Sequence, residues 1–506
     1  MKQLEVYLEK YFGYKEFREG QKETISQLLQ GTNTLSMLPT GTGKSLCYQL
    51  PVYITGKPAV IVSPLLSLMQ DQAEQLRVRG EKRVISFNSF LSFEERQTAM
   101  RNLHSYKFIF VSPEMLQSRQ LLAGLSSLDI GFFVVDEAHC ISQWGYDFRP
   151  DYLQLKRVRK ELSNPLTLAL TATATPQVRK DIIRQLGEGE FAEILSSIDR
   201  KNIGLIVEKA ESYEDKLQRM AELAKKLGGP GIIYFSSRKS AETAAEYLSR
   251  NLEARTAYYH GALEQEQRIL LQQQFINGEL DVICATSAFG MGINKQDIKY
   301  VIHFQMPMQM ESYIQEIGRA GRDGSDSIAI LLYLDGDEGL QWNFIENELP
   351  SDSQIHGLFH FLEGNRPGTL PELQKLLFSN ELGSLLNMNE IQLRIIQHLF
   401  QEVDSLDAFG QLKEQIFEYI SERKHSKIHK LQQFMDWVKG HACRRETASG
   451  YFNQELLEKP VWCCDICGLK AEQYFSEGLN RKKAGSKPFH WKEELREILL
   501  PVKQSL

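Results

Sequence analysis

Two short segments of the chain carry the residue types that hydrolysis of a nucleoside triphosphate requires. Residues 38 to 45 read L-P-T-G-T-G-K-S, in which Lys44 supplies a point charge for phosphates and Ser45 is a candidate Mg²⁺ ligand. Roughly ninety residues later, the apolar run F-F-V-V ends at Asp136 and Glu137. We assign Asp136 to the same metal ion and Glu137 to the attacking water. Together the segments predict a phosphate loop that faces two carboxylates at the end of a buried strand.

The phosphate loop departs from the strict G-x-x-x-x-G-K-[ST] pattern, because Leu38 stands where the first glycine would be. The remaining glycines allow unusual φ values and a close approach of the backbone to phosphates. The letters that follow, L-C-Y-Q-L-P, predict the start of a helix, whose N-terminal dipole would favour an anion. Considered alone, the segment also fits an ordinary glycine turn before a helix. The nucleotide-binding candidates here are Thr40, Gly41, Thr42, Gly43, Lys44 and Ser45.

A segment upstream of the loop has residue types suited to an adenine base. Tyr14, Arg18 and Gln21 lie in F-G-Y-K-E-F-R-E-G-Q. A glutamine amide can pair with adenine N6 and N7 while an aromatic ring covers the base, which would select ATP over GTP. By itself the segment also fits the end of an amphipathic helix.

The second half of the chain predicts another α/β unit. A strand pattern at residues 231–236 is followed by a helical stretch at 241–252 and a strand near 258–260. Further on, Q-E-I-G-R-A-G-R-D-G begins at Gln315 and places Arg319 and Arg322 three residues apart between glycines. We include all three side chains among the catalytic candidates, with the two arginines clamping the transferring phosphoryl group. The competing interpretation is a surface helix with salt bridges.

Length and composition limit the class of protein. A chain of 506 residues predicts about three domains, and 42% hydrophobic with 25% charged residues is typical of globular proteins. The net charge of −6 gives no overall attraction for polyanions, so a nucleic-acid surface would be a local groove. Because neither a signal-peptide core nor an eighteen-residue apolar run is found, we expect a soluble, cytoplasmic protein without membrane contact.

Taken in order, these segments resemble the RecQ family of superfamily 2 DNA helicases over roughly the first 340 residues. Within that family, the sequence resembles a short bacterial form. Its most specific stretch, H-C-I-S-Q-W-G-Y-D-F-R-P at residues 139–150, resembles the aromatic-rich loop of RecQ proteins. The other matching stretches are F-R-E-G-Q (17–21), T-G-T-G-K-S-L-C-Y-Q-L-P (40–51), V-S-P-L-L-S-L-M-Q-D-Q (62–72), D-E-A-H (136–139), L-T-A-T-A-T (170–175) and Q-E-I-G-R-A-G-R-D-G (315–324).

The resemblance implies an α/β fold of two tandem RecA-like lobes, each a parallel sheet flanked by helices, at residues 1–203 and 204–345. It implies 3′ to 5′ translocation on single-stranded DNA and unwinding of duplex in recombination, repair or fork restart. Trp144, Phe148 and Arg149 would contact the unpaired strand and couple it to the ATP site. An aromatic pair buried in the first lobe is the competing interpretation for that loop.

Two other functions stay open. One is an RNA-directed helicase, since superfamily 2 lobes act on both nucleic acids, and the other is a strand-binding or annealing protein that ATP switches. For the helicase we expect ATP, Mg²⁺ and a structural Zn²⁺ as cofactors. The expected partners are single-stranded and forked DNA and single-strand-binding protein, and the expected state is a nucleoid-associated monomer.

The last third departs from the usual RecQ arrangement. Residues 351–421 form a helical insertion, either winged-helix-like or a plain helical spacer. Residues 422–470 predict a helical hairpin and a zinc-binding region, and 471–506 form a basic, amphipathic tail too short for the accessory domains of longer relatives. A basic run would suit phosphate contacts or a solvated helix face, and it consists of Arg423, Lys424, Lys427, Lys430 and Lys439.

Four of the seven cysteines cluster near the C-terminus, which favours a metal over disulfides. The C-x-x-C pair of Cys464 and Cys467, with Cys443, resembles the RecQ zinc region. Cys463 is the fourth candidate ligand and the least certain one, because it adjoins Cys464, and His441 is held in reserve. Four protein ligands would leave no position for water, so the zinc would be structural. The scattered cysteines are expected to be small buried hydrophobes, namely Cys47, Cys140 and Cys284.

Overall fold

A computed structural model describes residues 2–64, 66–88, 91–142, 149–187, 189–290, 293, 295–379, 381–401 and 409–475. Two parallel sheets with helices around them are followed by a helical region that packs on the second sheet's lobe. This arrangement confirms the predicted α/β fold with two lobes. Among the described residues, no helix combines the length and the apolar character needed to cross a membrane.

The first lobe contains a seven-stranded sheet. Its strands are β1 (Asn33–Met37), β2 (Ala59–Val62), β3 (Val84–Phe87), β4 (Phe108–Val111), β5 (Phe132–Val135), β6 (Leu166–Thr171) and β7 (Phe191–Leu195). Its helices are α1 (Lys2–Phe12), α2 (Gln21–Leu29), α3 (Leu46–Thr55), α4 (Leu66–Val78), α5 (Phe93–Arg101), α6 (Arg119–Ser126), α7 (Leu155–Glu161) and α8 (Pro176–Leu186).

The strand order of this sheet decides where the site forms. The order is β3-β4-β2-β5-β6-β1-β7, and the pairs are parallel. Short apolar runs such as A-V-I-V in β2 and F-F-V-V in β5 are buried throughout, as expected for strands covered by helices on both faces. Because β6 alone separates β1 from β5, the segments after these strands meet at one edge of the sheet.

The second lobe contains a six-stranded parallel sheet. The strands are β8 (Ile203–Lys209), β9 (Gly231–Tyr234), β10 (Thr256–Tyr259), β11 (Val282–Ala285), β12 (Tyr300–His303) and β13 (Ser327–Tyr333). The helices are α9 (Tyr213–Leu227), α10 (Arg238–Asn251), α11 (Gln265–Ile276), α12 (Met310–Ile317) and α13 (Glu338–Glu348). The strand order is β10-β11-β9-β12-β13-β8, and the strand, helix and strand predicted after residue 230 are confirmed as β9, α10 and β10.

The C-terminal region is helical. Its helices are α14 (Asp352–Asn365), α15 (Leu370–Leu377), α16 (Leu382–Leu385), α17 (Glu390–Gln401), α18 (Phe409–Lys439) and α19 (Arg444–Tyr451). Helices α14 to α17 and the start of α18 share a separate apolar core. The described part of 351–421 contains no strand that could form a wing. The boundary drawn between residues 421 and 422 falls inside α18, so the insertion and the zinc region share one helix.

Helix α18 is attached to the second lobe by an aromatic contact and by its basic side chains. The indole of Trp437 packs 4.8 Å from the ring of Tyr313 on α12, measured between centroids. The sequence left phosphate contacts or a solvated helix face open for this basic run, and the structure shows its lysines in ion pairs with facing carboxylates on α12 and α13. The N–O distances are Lys424–Glu346 2.7 Å, Lys427–Glu348 2.6 Å, Lys430–Glu311 2.7 Å and Lys439–Glu338 3.0 Å.

Candidate active site and metal centre

The phosphate loop follows β1 and leads into α3. Gly41 has φ +86° and Gly43 has φ +78°, values that a side chain disfavours, so both glycines meet a conformational need. The Leu38 side chain is fully buried, and its N–H donates to the Thr171 carbonyl at 3.0 Å. The residue that breaks the strict pattern therefore belongs to the core under β1 rather than to the loop. The loop itself, from Thr40 onward, keeps the geometry that the sequence predicts.

The two carboxylates follow β5. The Asp136 N–H donates to the Val62 carbonyl at 2.8 Å, which continues the ladder between β5 and β2. Glu137 has φ 49° and ψ 49°, a left-handed conformation that costs a non-glycine residue about 1 to 3 kcal/mol. Its Oε1 lies 3.8 Å from Lys44 Nζ. Loop and carboxylates are thus brought together as predicted.

The electrostatics of Asp136 fit a cation site. Burial, together with the neighbouring Glu137 carboxylate, raises the pKa of Asp136 to about 7. A carboxyl group that loses this much hydration is stabilised in its ionised form by a nearby cation. Ser45, at the N-terminal end of α3, lines the same cavity. Ser45 and Asp136 are therefore suited to hold Mg²⁺ with the nucleotide phosphates.

Sequence reasoning missed the side chains that hold the carboxylate pair. His139 is buried, and its Nδ1 lies 3.0 Å from Thr171 Oγ1 and 3.4 Å from Glu137 Oε2. The Tyr152 hydroxyl donates to the Asp136 carbonyl at 3.3 Å. His139 and Thr171 lie in the recognised motifs D-E-A-H and L-T-A-T-A-T, so the sequence marked both residues. Their contact could not be predicted from it, because they are 32 residues apart in the chain.

The adenine candidates lie beside the phosphate loop. The Gln21 side-chain nitrogen donates to the carbonyls of Thr42 at 2.6 Å and Gly43 at 3.1 Å, and its Oε1 accepts the Arg18 N–H at 2.9 Å. The Arg18 guanidinium donates to the Gly41 carbonyl. In this conformation Arg18 and Gln21 support the loop. Tyr14 lines the same cavity and is half-exposed. Their contact with the base stays a prediction.

The second lobe completes the cavity with the predicted catalytic side chains. Gln315, Arg319 and Arg322 line the same space of about 390 Å³ as Lys44 and the two carboxylates. The Arg319 guanidinium donates to the Gly290 carbonyl, and Arg322 donates to that of Ile293. In both arginines the Nε atom is buried without a partner. Buried donors of this kind favour an anion in the cavity.

Arg322 lies very close to the phosphate loop. A Cβ atom built on Gly41 would lie 2.9 Å from Arg322 Cγ. Burial, together with the charges of Arg319 and Arg200, lowers the pKa of Arg322 to about 9. A triphosphate in the cavity would relieve this repulsion, since each phosphate oxygen could pair with a guanidinium. The arrangement is suited to stabilise the charge on a transferring phosphoryl group.

The predicted strand-sensing loop is only partly within the described residues. Trp144 and Phe148 lie outside them. Arg149, which follows the loop, donates from its side chain to the Pro64 carbonyl at 2.9 Å and from its backbone to the Cys140 carbonyl at 3.0 Å. Before the loop, the Ser142 hydroxyl donates to an Asp181 carboxylate oxygen at 2.7 Å. Both ends of the loop are therefore anchored next to the turn that follows the two carboxylates.

The four C-terminal cysteines converge at one point. The Sγ atoms of Cys443, Cys463, Cys464 and Cys467 all lie within 4.8 Å of one another, with 3.6 Å from Cys443 to Cys463 and 3.9 Å from Cys443 to Cys464. Tetrahedral zinc with bonds of about 2.3 Å needs sulfur atoms roughly 3.8 Å apart. Four thiols at this spacing fit a structural zinc ion, and the group includes Cys463 but not His441.

The thiols of the cluster respond differently to their surroundings, since burial and the neighbouring thiols raise the pKa of Cys463, and that of Cys467 to about 11. Although burial raises the pKa of Cys443, hydrogen bonds from the Glu446 backbone and the neighbouring thiols outweigh it, and the pKa is lowered. Arg444 holds Asp465, in the turn between Cys464 and Cys467, at 3.1 Å. The scattered cysteines are fully buried, as predicted, and are Cys47, Cys140 and Cys284.

Comparison with known proteins agrees with the fold. The DEAD/DEAH box helicase family matches residues 18–182, and the helicase conserved C-terminal domain matches residues 215–324. The probable ATP-dependent DNA helicase RecS of Bacillus subtilis (strain 168) is 42% identical over 500 residues, which cover 98% of each chain. These findings define a two-lobed helicase. The chain belongs to the RecQ family of ATP-dependent DNA helicases.

Other relatives are longer than this chain. The ATP-dependent DNA helicase RecQ of Bacillus subtilis (strain 168) is 40% identical over 352 residues, which are 69% of this chain and 59% of that protein. Among solved structures, helicase Lhr of Mycobacterium smegmatis bound to ssDNA and AMP-PNP has a TM-score of 0.56 at 20% identity. The match covers 78% of this chain and 56% of the Lhr chain, and it concerns the fold alone.

Proposed function

We propose that this RecQ-family protein hydrolyses ATP in the cleft between its lobes and uses the cycle to move 3′ to 5′ along single-stranded DNA and to unwind duplex. The observation that carries the proposal is the composition of the cleft. Lys44, Asp136 and Glu137 come from the first lobe and Arg319 and Arg322 from the second, and all five line one cavity. Neither lobe alone contains a complete site.

Each side chain has a distinct task in hydrolysis. Lys44 binds the phosphate oxygens, and Glu137 orients or deprotonates the attacking water. Bound Mg²⁺, held through Ser45 and Asp136, would neutralise charge on the phosphates. Arg319 and Arg322 stabilise the charge that develops on the transferring group, a contribution of about 10³ to 10⁵ in rate for an arginine in this role. Gln315 lies beside them and supports the same group.

Motion follows from the division of the site between the lobes. ATP favours a closed cleft because its phosphates attract the arginines of the other lobe, and product release removes that attraction. The contact of His139 with Glu137 and Thr171 joins the carboxylates to the sheet. The loop that carries Trp144 and Phe148 starts a few residues after Glu137, so an unpaired strand stacked on it is connected to the reacting end of the site.

The substrate and setting are part of the proposal. We expect single-stranded and forked DNA as substrates, in recombination, repair or restart of stalled forks at the nucleoid. Single-strand-binding protein is the expected protein partner, and a monomer is the expected acting unit. A zinc ion in the four-cysteine cluster would be structural, since four protein ligands complete its coordination.

The test is ATP turnover measured with forked, single-stranded and duplex DNA, and with single-stranded RNA of the same sequence. We expect single-stranded and forked DNA to stimulate turnover most. Lys44→Ala should abolish hydrolysis while preserving the melting temperature, because Lys44 acts on phosphates rather than on the core. Turnover retained in this variant would show that the assigned site is wrong.

Two outcomes would favour the other functions. Greater stimulation by RNA than by DNA would support an RNA-directed helicase. Strand separation that continues with a non-hydrolysable nucleotide, or without nucleotide, would support a strand-binding protein that ATP only switches. Polarity is read from partial duplexes with a single 3′ or 5′ tail, and we expect unwinding of the 3′-tailed substrate.

A further inference from the structure

We propose that Arg200 is a positioning residue that locks the arginine-bearing turn of the second lobe against the phosphate loop, and that Arg445 of the zinc region holds Arg200 in place. Arg200 lies in the segment that joins the two lobes, between β7 and β8. The inference rests on the proposed ATP site. It adds a residue outside the cavity that determines whether Arg319 and Arg322 reach the nucleotide.

The Arg200 guanidinium contacts carbonyl oxygens of both lobes. Its Nη1 donates to Thr40 of the phosphate loop at 3.1 Å and to Gly318 of the second lobe at 3.2 Å. Its Nη2 donates to Ala320 at 3.2 Å and to Gly321 at 2.6 Å. One side chain therefore joins the loop that binds phosphates to the turn that carries the arginines.

The carbonyls that Arg200 binds are the ones that fix the arginines. Gly318, Ala320 and Gly321 flank Arg319 and precede Arg322, so holding their carbonyls restricts both side chains. The backbones also approach closely here, since a Cβ atom on Gly318 would lie 3.4 Å from the Thr40 Cβ. A shift of the turn would therefore move both guanidinium groups together.

The chemistry of the contact requires arginine. A guanidinium presents five donors in a rigid plane, whereas a lysine ammonium is a point charge on a flexible stem. Four carbonyls that belong to two lobes match the guanidinium and not the ammonium. Arg200 is also absent from the cavity lining, so it acts through the residues it holds rather than on the nucleotide.

Arg445 connects this contact to the zinc region. It is 2% exposed, and one terminal nitrogen donates to the Asp199 carboxylate and, at 3.0 Å, to the Arg200 carbonyl. The other donates to the carbonyls of Ile203 and, at 3.4 Å, Cys463. Since Cys463 belongs to the four-cysteine cluster, the path from the metal centre to Arg200 passes through a single side chain.

The zinc region is also docked on the second lobe next to this path. The Leu205 N–H of β8 donates to the Cys463 carbonyl at 3.3 Å, and Leu205 forms an isolated parallel bridge with Cys464. On the other side, Glu311 of α12 accepts from Lys430 at 2.7 Å and from the Tyr451 hydroxyl at 2.9 Å. The helix that leads to Arg319 is thus supported from the same region.

The experiment compares Arg200→Gln and Arg200→Lys with a matched control, Arg159→Gln. Arg159 is buried, whereas Arg200 is partly exposed, and Arg159 donates to the Leu186 carbonyl at 3.0 Å and to Asn33 Oδ1 at 3.3 Å, both in the first lobe. We measure kcat and KM for ATP with saturating single-stranded DNA, the affinity for a fluorescent ATP analogue, and the melting temperature. The control reports how much a buried arginine matters for stability alone.

We expect Arg200→Gln to lower kcat by about 10- to 100-fold, because misplacement of reacting groups by about 1 Å has effects of this size. Affinity for the nucleotide should change by less than about threefold, since the arginines contribute mainly in the transition state. Arg200→Lys should recover only part of the rate. Arg445→Gln should reduce kcat in the same direction while keeping its zinc, as measured by metal analysis.

A double variant separates positioning from general damage. In an Arg322→Ala background, which has already lost one of the two groups being positioned, Arg200→Gln should lower kcat by clearly less than it does in the natural chain. Full additivity of the two losses, an unchanged kcat in Arg200→Gln, or an equal loss in Arg159→Gln would each overturn the inference. Failure of the proposed function is distinguishable, because the natural chain itself would then lack DNA-stimulated turnover.

Discussion

Replacing Gly41 by alanine should slow ATP hydrolysis by displacing an arginine of the other lobe. Gly41 has φ +86°, and a Cβ atom there would lie 2.9 Å from Arg322 Cγ. Carbon atoms in contact prefer a separation of about 3.5 Å or more, so the arginine stem must move by about 0.6 Å. Arg322 is also tied to the Ile293 carbonyl, and that bond resists the shift.

The size of the effect follows from two separate terms. A left-handed φ costs a non-glycine residue about 1 to 2 kcal/mol, which corresponds to a few degrees of melting temperature for a lobe of about 200 residues. Displacing Arg322 acts on the rate instead, and misplacement on this scale corresponds to about a 10- to 100-fold lower kcat. Arg322→Ala sets the limit, since complete loss of the group should cost about 10³-fold or more.

Gly56→Ala provides the matched control. Gly56 has φ +74° at the C-terminal end of α3, and a Cβ atom there would meet nothing within 4 Å. Both variants should lower the melting temperature by a similar amount, and only Gly41→Ala should lower kcat in a steady-state ATPase assay with single-stranded DNA. If Gly41→Ala hydrolyses ATP at the natural rate, or Gly56→Ala is equally slow, the contact between loop and arginine does not govern turnover.

Three further predictions concern the arginine, the metal centre and pH. Arg322→Ala should lose more in kcat than in affinity for a fluorescent ATP analogue; a loss confined to affinity would contradict its role. Cys443→Ser should lose the bound zinc that Cys284→Ala retains, as metal analysis of the purified proteins would reveal. Burial, together with the charge of Glu74, raises the pKa of Asp71 to about 6, so ionised Asp71 weakens the fold above that pH. Asp71→Asn should therefore raise the melting temperature at pH 8, with a gain that falls as the pH drops below about 6 and vanishes at about pH 3, below the pKa of Asp71 in both the folded and the unfolded state; a gain independent of pH would contradict this.

Much of the site could be predicted from the sequence because its motifs are local. The glycines of the phosphate loop need positive φ wherever such a loop folds, and the carboxylates directly follow a four-residue apolar strand. The helix after Ser45 and the second α/β unit were readable from hydrophobic periodicity in the same way. The four cysteines also lie close enough in the sequence to predict a metal site, although their spacing alone did not decide whether Cys463 is a ligand.

Other features could not be predicted because they depend on contacts between distant residues. Leu38 breaks the loop pattern, and only its burial beside Thr171 explains why. The basic run before the cysteines has the composition of a phosphate-binding surface. Its lysines are nevertheless used in ion pairs with carboxylates about 80 to 120 residues away, such as Lys430 with Glu311. Charge along a helix does not reveal which face a neighbouring domain covers.

By itself, the amino-acid sequence determined the chemistry: a phosphate loop, a carboxylate pair, two arginines and four cysteines, each defined within about 25 residues of chain. The tertiary structure decided how these groups act together. Arg200 bonds to Thr40 across 160 residues, and Arg445 bonds to Asp199 across 246. The physical reason is that neighbouring residues determine the geometry of a turn and the periodicity of apolar side chains. A contact between lobes, in contrast, exists only once both sheets have folded and packed.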